Sequence, residues 1–344
     1  MYFEYTVIFL ISVLLVTFFF LAKNRNALAN YDSSIAQRAH KGYVSRHAGT
    51  FTILTLCLLF FDFQQYKNIL VPLLCFLPLF FVTLLEDIYQ NIHPKKRLVV
   101  IIFSSLLATI FVFDNYPSIT IPFTDYIITN KYIYILFYCF CISVLINGSN
   151  MIDGTNGLLG FTLLSQLIIL YFFAHQINDS ETINFLIILF SLLTVFLIFN
   201  YPLGKIFMGD NGAYFFGFIV GLILIKIYSF NEINIWSALT IVFYPTMEVA
   251  FSFFRKARKE GVSPLVADNR HLHLLVVKFY SNKKFSLLKS NSLVVMTLSP
   301  IVFSNIFIIM IWDDGTYSIL FYYFLQIILY LSFYFYFDKK VAAN

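Results

Sequence analysis

Stretches of roughly twenty apolar residues recur along this chain, and a helix of that length crosses a bilayer. They constrain the fold more than any other feature. Of the 344 residues, 60% are hydrophobic, 20% aromatic and only 12% charged. A water-soluble domain has about 25% charged residues, so a single soluble core of this size is excluded and most of the surface must meet lipid. Eleven candidate spans lie near 2–22, 48–63, 67–85, 98–114, 131–147, 157–174, 182–200, 212–228, 234–254, 291–312 and 317–337. The expected fold class is all-α, a polytopic integral membrane protein of about eleven transmembrane helices.

The first span carries Glu4 and has no Lys or Arg ahead of it. A cleaved leader has a basic start, so despite Ala27-Leu28-Ala29 the run reads as a retained helix. Eleven spans put alternate loops on opposite sides. All but three of the 23 Lys and Arg residues then fall on one side, the exceptions being Lys67, Lys131 and Lys226. The basic side is the cytoplasmic one, which predicts a periplasmic N-terminus and a cytoplasmic C-terminus. Residues 1–344 then read as one transmembrane catalytic domain, with cytoplasmic loops near 23–47, 86–97, 148–156, 201–211 and 255–290. The net charge of +5 is thus a matter of topology, and no nucleic-acid partner is implied. Cys57, Cys75, Cys139 and Cys141 sit inside apolar runs without a C-x-x-C pair and read as packing residues.

The acids divide in the same way. Asp62, Asp114, Asp125, Asp179, Glu181, Glu232, Asp313 and Asp314 read as solvated charges of the outer loops and outer span ends. Glu86, Asp87, Asp153 and Asp210 stand at cytoplasmic span ends, beside glycines, asparagines or basic clusters. Glu86-Asp87 closes an apolar stretch and precedes Lys95-Lys96-Arg97; like charges so placed repel unless a cation is shared. Asn147 to Gly160 interrupts a hydrophobic stretch with four glycines and three asparagines, and such irregular backbone is tolerated at membrane depth only inside protein or beside a polar cavity. Phe199 to Gly217 contains Met208-Gly209-Asp210, where Asp210 or Asn211 is expected to cap a helix whose free amides suit an anion. Arg255 to Leu275 holds Arg270, His271 and His273, a phosphate-binding combination. Carboxylates with phosphate-binding cations are the equipment for divalent-ion chemistry on a diphosphate, and a membrane setting points to a lipid co-substrate. A transporter of lipid-linked sugars is the alternative. It would need ionisable pairs near the midplane, where Glu248 is the main candidate.

In this order and spacing, with His40-Lys41-Gly42 and Ser45-Arg46-His47-Ala48-Gly49 ahead of them, the four segments resemble the polyprenyl-phosphate N-acetylhexosamine-1-phosphate transferase family (the WecA/MraY superfamily) from about Ser33 to Leu275. The resemblance implies ten or eleven spans and a cytoplasmic-face site in a bacterial inner membrane. It implies transfer of N-acetylhexosamine 1-phosphate from a UDP-sugar to undecaprenyl phosphate, release of UMP, and use of Mg²⁺, with Mn²⁺ as a substitute. Asp87 matches the acid that aligns or deprotonates the lipid phosphate, with Glu86 beside it. Asp210 matches the metal-binding acid, with Asp87 as its companion. Asn150 and Asp153 match the nucleotide-side loop, and Asn156 in the same loop is a further candidate for substrate binding. His271 and His273 match the histidine motif, and Arg270, Lys95 and Arg46 complete the expected phosphate-binding set. Three departures from the family pattern are Glu86 in place of Asp, Asn156 in place of a second Asp and Leu274 in place of the final histidine. They resemble the branch serving O-antigen and other surface polysaccharides, and leave the aminosugar and a homodimeric state open.

Overall fold

The computed structural model describes residues 2–24, 44–59, 67–120, 127–128, 130–258, 269–311 and 315–343. His40-Lys41-Gly42 and residues 259–268 of the last basic loop lie outside the described residues. Fourteen helices appear among the described residues: α1 (Tyr2–Lys23), α2 (Ala48–Cys57), α3 (Lys67–Tyr89), α4 (Pro94–Phe111), α5 (Lys131–Ile152), α6 (Leu158–Gln176), α7 (Ser180–Asn200), α8 (Gly209–Tyr228), α9 (Ser237–Ile241), α10 (Phe243–Ala257), α11 (Leu272–Asn282), α12 (Leu287–Val302), α13 (Ser304–Ile311) and α14 (Thr316–Ala342). A two-stranded antiparallel hairpin, β1 (Ile119–Thr120) with β2 (Ile127–Ile128), pairs Ile119 with Ile128 between α4 and α5.

Each of the eleven predicted spans is helical in whole or in part, and eight helical stretches of the described chain are long and apolar enough to cross a membrane. The protein is therefore a polytopic, multi-pass membrane protein. Three predicted spans fall short of that length and composition. α2 has 10 residues, about 15 Å at 1.5 Å per residue, and the remainder of that span lies outside the described residues. α4 opens on Pro94-Lys95-Lys96-Arg97, so only part of its 18 residues is apolar. The predicted 234–254 span breaks at Val242 into the five-residue α9 and the fifteen-residue α10. The 291–312 span also breaks, at Phe303 between α12 and α13. Pro300 lies just ahead of that break, and its missing N–H deprives the Met296 carbonyl of its helical partner in the last turns of α12.

The centre of the bundle is α8, every residue of which is buried except Lys226. A helix apolar around its whole circumference must be wrapped by other helices, and α2, α3, α5 and α6 do this. α2 comes into backbone contact with α8. A Cβ on Gly49 would lie 2.1 Å from the Gly212 Cα, and one on Gly212 would lie 2.5 Å from the Gly49 Cα. Two glycines facing each other let the backbones touch, the small-residue packing that holds helices together in lipid. At the opposite end of α8, Lys226 pairs with Asp179 at 3.0 Å and Glu181 at 3.3 Å. These two acids were expected to be plain solvated loop charges; they clamp the α7 start to the α8 end.

Candidate functional site

The segment before α2 runs beside the segment before α8. Ser45 and Ile206 form a parallel bridge, Phe207 N–H donates to the Ser45 carbonyl at 2.8 Å, and Gly49 N–H donates to the Met208 carbonyl at 2.9 Å. This pairing carries Arg46 to the start of α8. Gly209 makes the turn into the helix at φ +76°, and a Cβ there would lie 1.9 Å from the Arg46 carbonyl oxygen. Only glycine supplies both that backbone and that space.

The first amides of α8 meet two carboxylates from other helices. Asp87, at the end of α3 and 2% exposed, accepts Asp210 N–H on Oδ1 at 2.9 Å and Asn211 N–H on Oδ2 at 3.1 Å. Gly209 N–H donates to Asp153 Oδ2 at 3.2 Å. The sequence suggested that Asp210 or Asn211 caps α8 and leaves amides for an anion. Instead Asp87 is that anion, and its charge is offset by the positive end of the helix. Asn211 turns inward, donating to Thr50 Oγ1 and accepting from Thr83 Oγ1, both at 3.1 Å.

Freed from capping, the Asp210 carboxylate faces two guanidiniums. Arg46 donates to Oδ1 at 2.9 Å and Arg97 to Oδ2 at 2.6 Å. Arg97 also lies 3.5 Å from Glu86 Oε1, while Glu86 Oε2 accepts Ile92 N–H at 2.9 Å and so folds the α3–α4 turn. Four acids from α3, the end of α5 and α8 thus share one pocket of charge with two arginines. Burial pushes the Asp153 carboxyl well above the ordinary carboxylate range; Arg46 opposes the rise, and Asp210 and Asp87 add to it. Asn150 Nδ2 reaches the Tyr214 hydroxyl, one turn after Asp210, at 3.4 Å.

A second cluster forms around Glu248 of α10. His271 Nδ1 lies 3.1 Å from Oε2 and His273 Nδ1 4.0 Å from Oε1, with the two rings stacked at 5.7 Å. It stands beside the first cluster: a Cβ on Gly148 of α5 would lie 2.4 Å from the carbonyl oxygen of Pro245, three residues before Glu248, and Gly148 is followed on the same chain by Asn150 and Asp153. Burial holds His273 neutral, its pKa lowered to about 4 against the pull of Glu248.

Of the residues singled out in the sequence, Arg46, Glu86, Asp87, Asp153 and Asp210 converge, and His271 and His273 form the neighbouring pair. Asn156 is placed differently. Its N–H donates to Asn291 Oδ1 at 2.8 Å and its Nδ2 to the Pro202 carbonyl at 2.8 Å. Fully buried, it ties the glycine-rich loop to α12. Arg270 pairs with Asp338 at 2.8 Å, and Lys95 is exposed on the first turn of α4. Arg97 escapes the sequence reading of the site, and Glu248 enters it only as a midplane charge for the transporter alternative. Arg97 stands two positions beyond the Lys95 that was chosen, where a helical register from Pro94 would have turned it inward. Glu248 is the single acid of its apolar run, and an ionisable residue inside such a run is a functional candidate by default.

Among the described residues no three acidic, histidine or cysteine side chains stand close enough to hold a metal ion by themselves. The donors present are carboxylate oxygens, the type a Mg²⁺ ion takes, and such ions are commonly held by one or two carboxylates with substrate phosphates and water supplying the rest. Asp210, already turned toward cationic groups, fits that mode, and Asp87 lies against its backbone.

The model of glycosyl transferase family 4 matches residues 69–228, which contain Glu86, Asp87, Asp153 and Asp210. A relative from Escherichia coli K12, the undecaprenyl-phosphate alpha-N-acetylglucosaminyl 1-phosphate transferase, is 27% identical over 307 residues, 81% of this chain and 79% of its own. A relative from Sulfolobus acidocaldarius, provisionally named a UDP-N-acetylglucosamine–dolichyl-phosphate N-acetylglucosaminephosphotransferase, is 32% identical over 211 residues, 60% of this chain. The phospho-N-acetylmuramoyl-pentapeptide-transferase of Dictyoglomus turgidum is 30% identical over 180 residues, 51% of this chain and 57% of its own. The match spans 62% of the length of the Sulfolobus relative and 63% of a second archaeal one, from Saccharolobus solfataricus.

Proposed function

The chain belongs to glycosyl transferase family 4, and from that premise we propose that it moves N-acetylhexosamine 1-phosphate from a UDP-sugar to a polyprenyl phosphate, undecaprenyl phosphate in a bacterial inner membrane, and releases UMP. The reaction would start O-antigen or another surface polysaccharide at the cytoplasmic face. One observation carries the reading: Glu86, Asp87, Asp153 and Asp210, distant in sequence, share a site with Arg46 and Arg97.

In this reading Arg46 and Arg97 bring positive charge to the diphosphate oxygens of the donor. Asp87, held by two amides, aligns or deprotonates the lipid phosphate. An oxygen of that phosphate attacks the β-phosphorus, a new P–O bond forms, and the bond to the α-phosphate oxygen breaks, sending its electron pair out with UMP. Asn150 and Asp153 face the nucleotide, and His271 and His273 meet phosphate. A divalent ion, Mg²⁺ or Mn²⁺, held by Asp210 with Asp87, would neutralise charge on the diphosphate. Positioning and neutralisation of this kind account for most of the catalysis in phosphoryl transfer.

The test uses purified protein in detergent with Mg²⁺, undecaprenyl or dolichyl phosphate, and a panel of UDP-aminosugars including GlcNAc, FucNAc and QuiNAc. UMP and a lipid diphosphate sugar should appear together with one donor and vanish with EDTA. Failure to form either product with any donor and both lipids would sink the proposal.

A further inference from the structure

Glu248 is the buried acid that the proposed reaction leaves without a role. It sits on α10 at 1% exposure, and a carboxylate so placed persists only with partners that replace its hydration. Its partners are arranged unevenly. Oε2 takes the close contact with His271 Nδ1 at 3.1 Å; Oε1 accepts Leu272 N–H at 3.2 Å and the Tyr244 hydroxyl at 3.3 Å. His273 Nδ1 stands off at 4.0 Å and has no hydrogen-bond partner among the described residues. Two histidines two residues apart, stacked with planes 12° from parallel, therefore differ in which one the carboxylate holds.

A carboxylate only accepts, so the hydrogen in the close contact must sit on Nδ1 of His271. That fixes the tautomer and places the second ring nitrogen, Nε2, as the basic one, as a carboxylate does for the ring of a metal-bound or catalytic histidine. The Leu272 amide on the same carboxylate anchors the backbone at the start of α11, so ring and main chain are held at two points. We infer that Glu248 is a positioning residue that fixes the His271 proton on Nδ1 and directs Nε2 to the substrate phosphates, with His273 stacked against it. The phosphate half of this statement rests on the proposed transferase reaction; the tautomer half does not.

The two halves are tested separately. Full-length protein carrying ¹⁵N-labelled histidine is reconstituted in lipid nanodiscs as wild type, Glu248→Gln and Glu248→Asp, with His271→Gln used to assign the His271 signals. At pH 8 the wild-type ring should carry its proton on Nδ1; Glu248→Gln should move it partly or wholly to Nε2; Glu248→Asp should restore the wild-type pattern. A wild-type ring protonated on Nε2, or the same tautomer in wild type and Glu248→Gln, overturns the inference whether or not the protein transfers sugar. In the transfer assay Glu248→Gln should lower kcat at least tenfold with the KM for undecaprenyl phosphate unchanged, and Glu248→Asp should recover most of it. Wild-type kcat in Glu248→Gln also overturns the inference. A wild type silent with every donor counts against the reaction instead, and the tautomer readout still decides the role of Glu248.

Discussion

Asp87 is more than a candidate catalytic acid, since it also closes the start of the central helix. Replacing it by Asn keeps the shape and removes the charge. The Asn side chain offers one accepting oxygen where two amides, those of Asp210 and Asn211, now donate at 2.9 and 3.1 Å, and its NH₂ would face the second N–H. One hydrogen bond to a charged group is lost, about 1.5–3 kcal/mol, and a negative charge leaves the positive end of α8, about 0.3–2 kcal/mol. The total is roughly 2–5 kcal/mol. Asp210→Asn removes a charge from the same site but no cap. The guanidiniums it deserts stay 29% and 21% exposed, so water can replace part of the lost contact, and the Asn oxygen can still accept from one of them. Both variants should lose transfer and remain membrane-inserted, yet in thermal unfolding followed by tyrosine and tryptophan fluorescence only Asp87→Asn should melt several degrees lower. An Asp87→Asn protein as stable as wild type, or an Asp210→Asn protein that loses more, would refute the capping argument.

Other substitutions probe the same geometry. Gly209→Ala places a methyl 1.9 Å from the Arg46 carbonyl in a backbone with φ +76°, so transfer should fall more than a hundredfold in an inserted protein; near-normal turnover would show that the Arg46 segment need not touch Gly209. Glu86→Asp should keep more activity than Glu86→Gln, because Glu86 acts on Arg97 by charge at 3.5 Å; equal losses would count against a charge role. His273 has a folded pKa of about 4, lowered from 6.5 by burial. Because the folded value is the lower one, the native state should lose stability as pH falls from about 6.5 toward 4 while the unfolded chain takes up the proton. The melting temperature of His273→Gln should decline less over that window, and a parallel decline in both proteins would contradict a neutral buried His273.

How much was legible in the sequence depended on whether a feature was local. Runs of apolar residues announce helices, so each of the eleven segments is helical at least in part, eight helical stretches being long and apolar enough to span, but where a run breaks is a matter of single residues. Val242 ends α9 beside Pro245, and Phe303 ends α12 after Pro300, breaks that apolar content alone does not mark. The acids at 86, 87, 153 and 210 were visible because charge at the end of a span is conspicuous. Their division of labour was not. That Asp87 caps a helix 123 positions away, while Asp210 at the start of that helix turns outward to two arginines, depends on the pairing of residues 45 and 206, which no local pattern encodes. Asn156 shows the converse: its place in a glycine-rich loop is visible in the sequence, whereas its tertiary partners Pro202 and Asn291, which brace that loop, are not.

The charge balance of the site leads to a last expectation. Four carboxyl groups stand with two guanidiniums, an excess of acid that a divalent ion would offset. Yet no three side chains of the described chain converge as ligands, so the protein offers the ion too few oxygens, and the missing ones must come from substrate phosphates and water. Ion and nucleotide should therefore each bind weakly alone and strengthen the other, by the same factor in either order. Because binding to the native state raises its stability by RT ln(1 + [L]/Kd), about 2.7 kcal/mol at a hundredfold excess over Kd, the coupling is readable as heat resistance without turnover. Mg²⁺ with UDP should raise the melting temperature by clearly more than the sum of the two separate shifts, and Asp210→Asn should abolish the excess. Shifts that merely add in the wild type would mean that ion and diphosphate occupy separate places, and the site described around Asp210 would not be where they meet.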